Sequence, residues 1–227
     1  TYALTYGNLP WAFMSLLYGA GGTLENDMDD LTKDVWRKPM EKLKEAYDAG
    51  VIAPMDVDGE QAFGSGKAVF AQLGTWAQGN MSNTLGADKI AEANTLQYSA
   101  DNPVNFFYQC NWMQLKDPHR SAAKSAAAAD FVKYVYEHWM DWSEVGSISP
   151  AYRDLNNPEY QKLIQASFTN SKKERDYIKT SNYLYGGYAT AGWGTYNDIV
   201  YGNVGLEEGL KTLDLMAQGQ IEIQEES

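Results

Sequence analysis

The segment QAFGSGKAVFAQLGTW, residues 61–76, changes from a helical pattern to a strand pattern. Residues 59–66 have the pattern of a short helix that stops at a glycine- and serine-rich turn. The run Lys67–Leu73 alternates small and apolar side chains and predicts a β-strand. Trp76 stands immediately past this strand, after a glycine and a threonine. An indole flanked by small and polar residues is typical of a loop, where its face can meet a ligand.

Helical patterns dominate the chain on both sides of this segment. Ser121 is a good N-cap for an alanine-rich helix that ends near Trp142. A second strand is predicted over 104–115, and residues 77–93 carry weaker helical signals. The other predicted helices are 8–20, 33–49, 157–166, 171–180, 195–201 and 205–217, the last ended by Gly219. Few strands separated by helices favour an α/β layered architecture over a β-sandwich.

The composition excludes several classes of protein. The chain of 227 residues has no apolar run long enough for a transmembrane helix. Its net charge of −12 repels phosphate backbones and anionic headgroups, so neither nucleic acid nor a membrane surface is expected as a partner. The single cysteine, Cys110, lies in an apolar run and is interpreted as buried and inert. Aromatic residues, with 16 Tyr, 7 Trp and 7 Phe, are the main compositional signal.

Motifs for catalysis or metal binding do not appear in the sequence. Asp56–Glu60 resembles the start of a calcium loop, but Lys67 occupies the twelfth position, where a glutamate is needed. The run Gly19–Gly22 does not fit a phosphate-binding pattern. Neither His119 nor His138 accompanies a nucleophile motif. The sequence therefore predicts no metal, no cofactor and no catalytic residue. A carboxylate pair for glycoside hydrolysis can come from any positions and stays open.

Three segments, in the same order, resemble the family of extracellular solute-binding proteins that includes maltose-binding protein. Residues 61–76 are similar to the family pattern of a phenylalanine, a Gly-Lys pair, a small-apolar strand and Gly-x-Trp. Residues 121–136 are similar to its alanine-rich helix with an aromatic end. Residues 145–153 are similar to its glycine- and proline-containing loop, except that Ser149 intervenes before Pro150.

The resemblance implies a periplasmic-binding-protein type II fold, in which two α/β lobes close on a ligand by hinge motion. By that comparison the chain is the helix-rich C-terminal portion, and the N-terminal lobe is largely missing. We expect residues 1–98 and 146–227 to form the C-terminal lobe. Residues 99–145 are expected to be a segment of the other lobe.

The resemblance also implies a function, namely capture of a carbohydrate, most simply an oligosaccharide, for an ABC transporter, without enzymatic activity. Aromatic faces cover the C–H patches of sugars, and planar polar side chains bond their hydroxyls. The residues expected to supply these contacts are Trp76, Trp193, Trp11, Trp112, Arg153, Tyr152, Tyr185 and Asn80. The implied partners are the sugar and the ABC permease subunits.

The expected protein is a monomer at the cell surface or in the periplasm, lipid-anchored or secreted through a segment upstream of Thr1. Two alternatives stay open at this point. A fragment of a glycoside hydrolase would also be rich in Trp and Tyr, and a hydrolysis assay would separate it from a binding protein. An adhesion or scaffolding module would bind no small ligand, and its tryptophan fluorescence would not respond to sugars.

Overall fold

The computed structural model describes residues 1–7, 9–93, 95–106, 112, 114–144, 156–164, 166, 177–178 and 191–225. In these ranges the strands are β1 (Tyr2–Tyr6), β2 (Ala68–Gln72), β3 (Asn105–Phe106) and β4 (Tyr177–Ile178). The α-helices are α1 (Leu9–Gly19), α2 (Leu24–Asp27), α3 (Asp34–Asp48), α4 (Gly59–Gly64), α5 (Gln78–Leu85), α6 (Ala122–Glu137), α7 (Trp139–Glu144), α8 (Trp193–Val200) and α9 (Leu206–Glu225). Short 3-10 turns occupy Thr75–Ala77, Ala87–Lys89 and Tyr160–Lys162.

Strands β1 and β2 are parallel neighbours, so their carboxyl ends share one edge of the sheet. The register pairs Tyr6 with Gln72 at that edge. The backbone N–H of Gly7 donates to the carbonyl of Gln72 at 3.0 Å, which extends the pairing past β1. The buried Thr5 hydroxyl donates to the carbonyl of Gly59 at 3.3 Å and ties β1 to the start of α4. Segments that follow the two strands are therefore held close together.

Helices α1, α3, α8 and α9 share one hydrophobic core. Phe13 of α1 contacts Trp36 of α3 and Tyr196 of α8, with ring centroids 5.7 Å and 5.4 Å apart. Leu210 and Leu213 of α9 are buried in the same cluster. Burial of each large apolar side chain is favourable by about 1.5–3 kcal/mol. This core fixes the positions of α1 and α8, the two helices that begin near the carboxyl edge of the β1–β2 sheet.

Several sequence predictions are confirmed. Strand β2 and helices α1, α3, α4 and α8 lie where the patterns place them, within a few residues at each end. Ser121 caps α6, since its hydroxyl accepts from the backbone N–H of Lys124 at 3.2 Å. Pro39 stands inside α3, which begins at Asp34.

Strand β1 has no counterpart in the sequence prediction. Its five residues alternate only weakly in burial, and Thr5 alone is fully buried. The pairing partner of β1 is β2, more than 60 residues further along the chain. A short strand stabilised by such a distant partner leaves little local signal.

Two predicted helices are wrong where the structure describes them. Of the helix predicted over 157–166, the described residues form the 3-10 turn Tyr160–Lys162, and among them Ala166 alone is α-helical. The Asn157 side chain accepts from the backbone N–H of Glu159 at 2.8 Å, ahead of this turn. Within the helix predicted over 171–180, Tyr177–Ile178 forms β4, which pairs in parallel with β3. This pairing joins residues about 70 positions apart, and local propensity does not report it.

The ends of two further elements differ from the prediction. Helix α9 continues through Gly219 to Glu225 because Ala217 before the glycine is buried in the core and Ile221 after it packs against the same core, which outweighs the helical cost of one glycine, about 1 kcal/mol. Of the strand predicted over 104–115, the described residues show only β3. Residues 107–111 and 113 lie outside the description, and residues 112 and 114–117 have no regular structure.

Helix α6 differs from the core helices because none of its residues is buried in the described structure. Phe131 and Tyr134 are 55% and 59% exposed. A ring contact from α6 to another segment is the edge contact between Phe131 and Trp112, with centroids 5.8 Å apart. Among the described residues, no helix is both long and apolar enough to cross a membrane.

Candidate functional site

Two tryptophans meet at the carboxyl edge of the β1–β2 sheet. Trp11 lies in the first turn of α1, which begins just past β1, and Trp193 is the first residue of α8. Their ring centroids are 5.9 Å apart and the rings are inclined at 69°, an edge-to-face arrangement. Trp11 is partly buried against the core and Trp193 is 36% exposed. The core therefore supports the Trp11 indole, whereas the Trp193 indole remains partly accessible to solvent.

A cavity of about 120 Å³ opens beside Trp193. The residues that line it come from the end of β1, the start of α1, the segment before α4, and α8 with its C-cap: Tyr6, Gly7, Leu9, Met55, Trp193, Asn197 and Tyr201. Trp193, Asn197 and Tyr201 are spaced by four, so they fall along one face of α8. The accessible surface of the cavity is mostly polar, and its lining residues include an amide and two phenols beside the indole of Trp193, which suits a ligand with hydroxyl groups.

Both phenols of this cavity remain protonated at ordinary pH. Burial raises the pKa of Tyr6 above its usual range, and the nearby Tyr201 adds to that shift. Burial also raises the pKa of Tyr201, with a further contribution from Tyr47, whose ring meets it edge-on at 5.0 Å. Both hydroxyls are therefore uncharged, and each can donate and accept a hydrogen bond.

Trp76 follows the carboxyl end of β2, on the same edge as the Trp11–Trp193 pair. It lies in the 3-10 turn Thr75–Ala77 and is 56% exposed. Its six-membered ring folds back over Gly74 so closely that a methyl group at that position would overlap the ring. Gly74 has ordinary backbone angles, with φ −81°, so its lack of a side chain matters for space. The absence of a side chain at Gly74 therefore leaves the space that the Trp76 ring occupies.

The structure places two other predicted residues away from this cavity. Trp112 is 66% exposed and contacts Phe131 of α6. Asn80 lies on α5, where its side-chain N–H donates to Glu60 at 3.4 Å. Tyr152, Arg153 and Tyr185, together with the loop 145–153, lie outside the described residues. Their roles stay predictions.

Sequence reasoning did not identify Tyr6, Met55, Asn197 or Tyr201. A usable signal existed for two of them, because Asn197 and Tyr201 repeat the four-residue spacing that begins at Trp193. No local signal existed for Tyr6 and Met55, since distant parts of the chain bring them to α8. Within the described ranges, no group of three or more His, Cys, Asp or Glu side chains could hold a metal ion.

Comparisons with known proteins give matches among solved structures. No model of a known protein family matches the sequence, and no curated protein matches it. Among solved structures, the chain is similar to the cyclic α-maltosyl-1,6-maltose binding protein from Arthrobacter globiformis, with a TM-score of 0.67 at 16% sequence identity. The match covers 96% of this chain and 59% of that protein. The chain therefore has the helix-rich α/β fold of a large part of a sugar-binding protein, and it spans 59% of that protein's length.

Proposed function

We propose that this chain binds carbohydrate, as part of an extracellular solute-binding protein that delivers an oligosaccharide to an ABC importer. The observation that carries the proposal is the Trp11–Trp193 pair beside a cavity lined by Asn197, Tyr6 and Tyr201, at the carboxyl edge of parallel strands. Ligands of open α/β sheets bind at this edge. The similarity to a protein that binds a maltosyl-maltose adds support.

The residues divide the work of binding. The exposed face of Trp193 covers the C–H patch of a pyranose ring, and Trp11 holds that indole in place from the core side. Asn197 offers both a donor and an acceptor to vicinal hydroxyls, and the neutral phenols of Tyr6 and Tyr201 do the same. No covalent chemistry is needed, so the proposed protein is not an enzyme and uses no cofactor or metal.

The cavity accounts for part of a site only. Complete pockets for small ligands measure about 300–1,000 Å³, whereas this cavity measures about 120 Å³. In the proposal, Tyr152, Arg153 and Tyr185 and a second lobe of the complete protein complete the cleft. Closure of the two lobes on the sugar then supplies most of the affinity.

We also propose the lobe assignment, in which residues 1–98 and 146–227 form the C-terminal lobe and, of residues 99–145, the part that carries α6 belongs to the other lobe. Val104 lies in the core with α1, and β3 pairs with β4, so the residues that precede α6 are not included in that part. Support comes from α6, where Phe131 and Tyr134 are exposed on a helix that buries none of its residues. An apolar helix face of this kind normally packs against a partner. The complete protein is then a monomer at the cell surface or in the periplasm, held by a lipid anchor or secreted, and its macromolecular partners are the permease subunits.

Calorimetry and tryptophan fluorescence with linear gluco-, xylo- and galacto-oligosaccharides test the function. The 227-residue chain should bind at least one of these sugars with a Kd on the order of 1 mM, about −4 kcal/mol, and should shift its tryptophan emission. It should release no new reducing ends from that sugar. A sugar that is hydrolysed would favour a glycoside hydrolase. An absence of response to every sugar would overturn the proposal.

A further inference from the structure

An open groove of about 440 Å³ runs between α4 and α5, apart from the cavity beside Trp193. Its floor is the buried Met81 of α5. The two helices approach closely at Gly64, where an added Cβ would lie 3.4 Å from Thr84 and 3.8 Å from Met81. The groove therefore has a packed apolar base between two helices, so its shape is a property of the fold.

The rim of the groove is polar. The side chains that line it are Asp58, Glu60, Gln61, Ser65, Asn80 and Thr84. A hydrogen bond of 3.4 Å from Asn80 to Glu60 spans from one helix to the other. Among the described residues that line the groove, none is basic. Carboxylates, amides and hydroxyls together both accept from and donate to the hydroxyls of a polyol.

The groove lies in line with the exposed Trp76. The 3-10 turn that holds Trp76 runs directly into α5 at Gln78. Trp76, Asn80 and Thr84 are spaced by four, so they follow one another along one side of this helical segment. An aromatic platform that is 56% exposed therefore stands one turn ahead of the polar rim.

We propose that the α4–α5 groove is an extension subsite, which takes the further sugar units of a long oligosaccharide whose chain crosses Trp76. This inference rests on the proposed function and names its ligand class, a neutral oligosaccharide longer than a disaccharide. The indole face of Trp76 covers one sugar unit, and the carboxylate of Glu60 with the amide of Asn80 bonds the hydroxyls of the next.

A metal ion fits the groove less well than a sugar. The Asp58 carboxylate already accepts from the backbone N–H of Gln61 at 2.8 Å, as the cap of α4. Glu60 is then the one other carboxylate among the described lining residues, which is too few for a calcium site. The mixed amide and hydroxyl lining is the chemistry of sugar recognition.

The test is a titration of the isotope-labelled 227-residue chain followed by NMR, with each of the three oligosaccharide series at lengths from two to six units. For the series that binds, the disaccharide should shift resonances around Trp193. The hexasaccharide should in addition shift the α5 amides and the Trp76 indole N–H, and should bind about tenfold tighter. The variants Glu60→Ala and Thr84→Ala should lose most of that tenfold gain and keep the disaccharide affinity.

Asn83→Ala is the matched control, since Asn83 adjoins Thr84 on α5, is exposed, and does not line the groove. It should retain the full gain with chain length. The inference is overturned if Glu60→Ala and Thr84→Ala keep the gain, or if long and short sugars bind equally. It is also overturned if the α5 amides respond to Ca²⁺ and not to sugar. Failure of the proposed function looks different, because then no sugar shifts the Trp193 resonances at all.

Discussion

Two ring pairs of this chain have almost the same geometry and very different surroundings. Trp11 and Trp193 meet edge to face with centroids 5.9 Å apart, and Trp112 and Phe131 do so at 5.8 Å. The first pair stands on helices whose other faces are buried in the core. The second pair includes α6, which buries no residue in the described structure. Ring geometry alone therefore does not distinguish a binding site from an uncovered surface.

The two ring pairs differ in how well the surrounding structure fixes their positions. A site discriminates between ligands only if its groups keep their positions when the ligand arrives, because flexible groups lose entropy on binding. Trp193 is held by α8, whose Tyr196, Ile199 and Val200 are fully buried. Phe131 has no such support within the described residues, and both it and Trp112 are more than half exposed. We expect the Trp11–Trp193 pair to bind ligand. We expect the Trp112–Phe131 pair to pack against another part of the complete protein.

The largest expected effect is on the free energy of unfolding, and it should differ between Phe13 in the core and Phe131 on α6. Phe13→Ala should lower the free energy of unfolding by about 3–5 kcal/mol, since it empties a site between Trp36 and Tyr196 in the core. Phe131→Ala should change it by less than about 0.5 kcal/mol, because the ring is 55% exposed. Urea denaturation followed by circular dichroism measures both. Equal losses would mean that α6 contributes to the same core, and the comparison would fail.

The next effect concerns ligand binding by the two tryptophan pairs. Trp193→Ala should weaken binding of the tightest sugar about tenfold or more, because a stacked aromatic anchor contributes about 2 kcal/mol at a binding site. Calorimetry of the 227-residue chain measures the change.

Trp112→Ala is the matched control for that experiment. It removes the same side chain from the unsupported pair and should leave the Kd within about twofold. If Trp112→Ala weakens binding as much as Trp193→Ala does, then the sugar contacts both regions and the distinction drawn here is wrong.

A smaller effect is expected at Gly74, beneath the ring of Trp76. Gly74→Ala should displace the indole, because the added methyl group would overlap its six-membered ring. We expect an altered near-UV circular dichroism spectrum and binding weakened about threefold to fivefold for long oligosaccharides. Gly194→Ala is the control, since an added Cβ there meets nothing within 4 Å. An unchanged spectrum in Gly74→Ala would show that the ring does not depend on this glycine.

Local patterns predicted several helices of the core and named two residues, Trp11 and Trp193, of the candidate site. The pattern over 33–49 predicted α3, whose Trp36 and Met40 are buried. The small and polar neighbours of Trp76 predicted a loop after the strand, and the structure has Trp76 in an exposed turn after β2. These features are determined by residues that are close in sequence, and periodicity in the sequence predicts such features well. The predicted site residues Trp11 and Trp193 lie together because α1 and α8 pack on one core, and no local signal indicates that contact.

The features that sequence reasoning missed depend on distant partners. Strand β1 pairs with β2, and β4 pairs with β3, across separations of more than 60 residues. Tyr6 and Met55 meet α8 for the same reason. Propensity is a weak prior in such places, since tertiary contacts decide the outcome.

The smallest expected effect tests the length of α9. Its first half buries Leu210 and Leu213 in the core, whereas Ile223 in its last turn is 61% exposed. Gly219 stands between these parts, inside the helix Leu206–Glu225, and an added Cβ there meets nothing within 4 Å. Gly219→Ala should therefore raise the free energy of unfolding by about 0.5–1 kcal/mol, measured by urea denaturation, because alanine favours the helix.

The sign of that change in the free energy of unfolding distinguishes a helix that continues to Glu225 from one that ends at Gly219. If the helix ended at Gly219, as the pattern indicates, the glycine would be expected in the left-handed conformation, and alanine would cost about 1 kcal/mol. Gly202→Ala supplies the reference for such a cost, because Gly202 has φ +79° in the loop between α8 and α9. A destabilised Gly219→Ala that matches Gly202→Ala would place the end of α9 at Gly219.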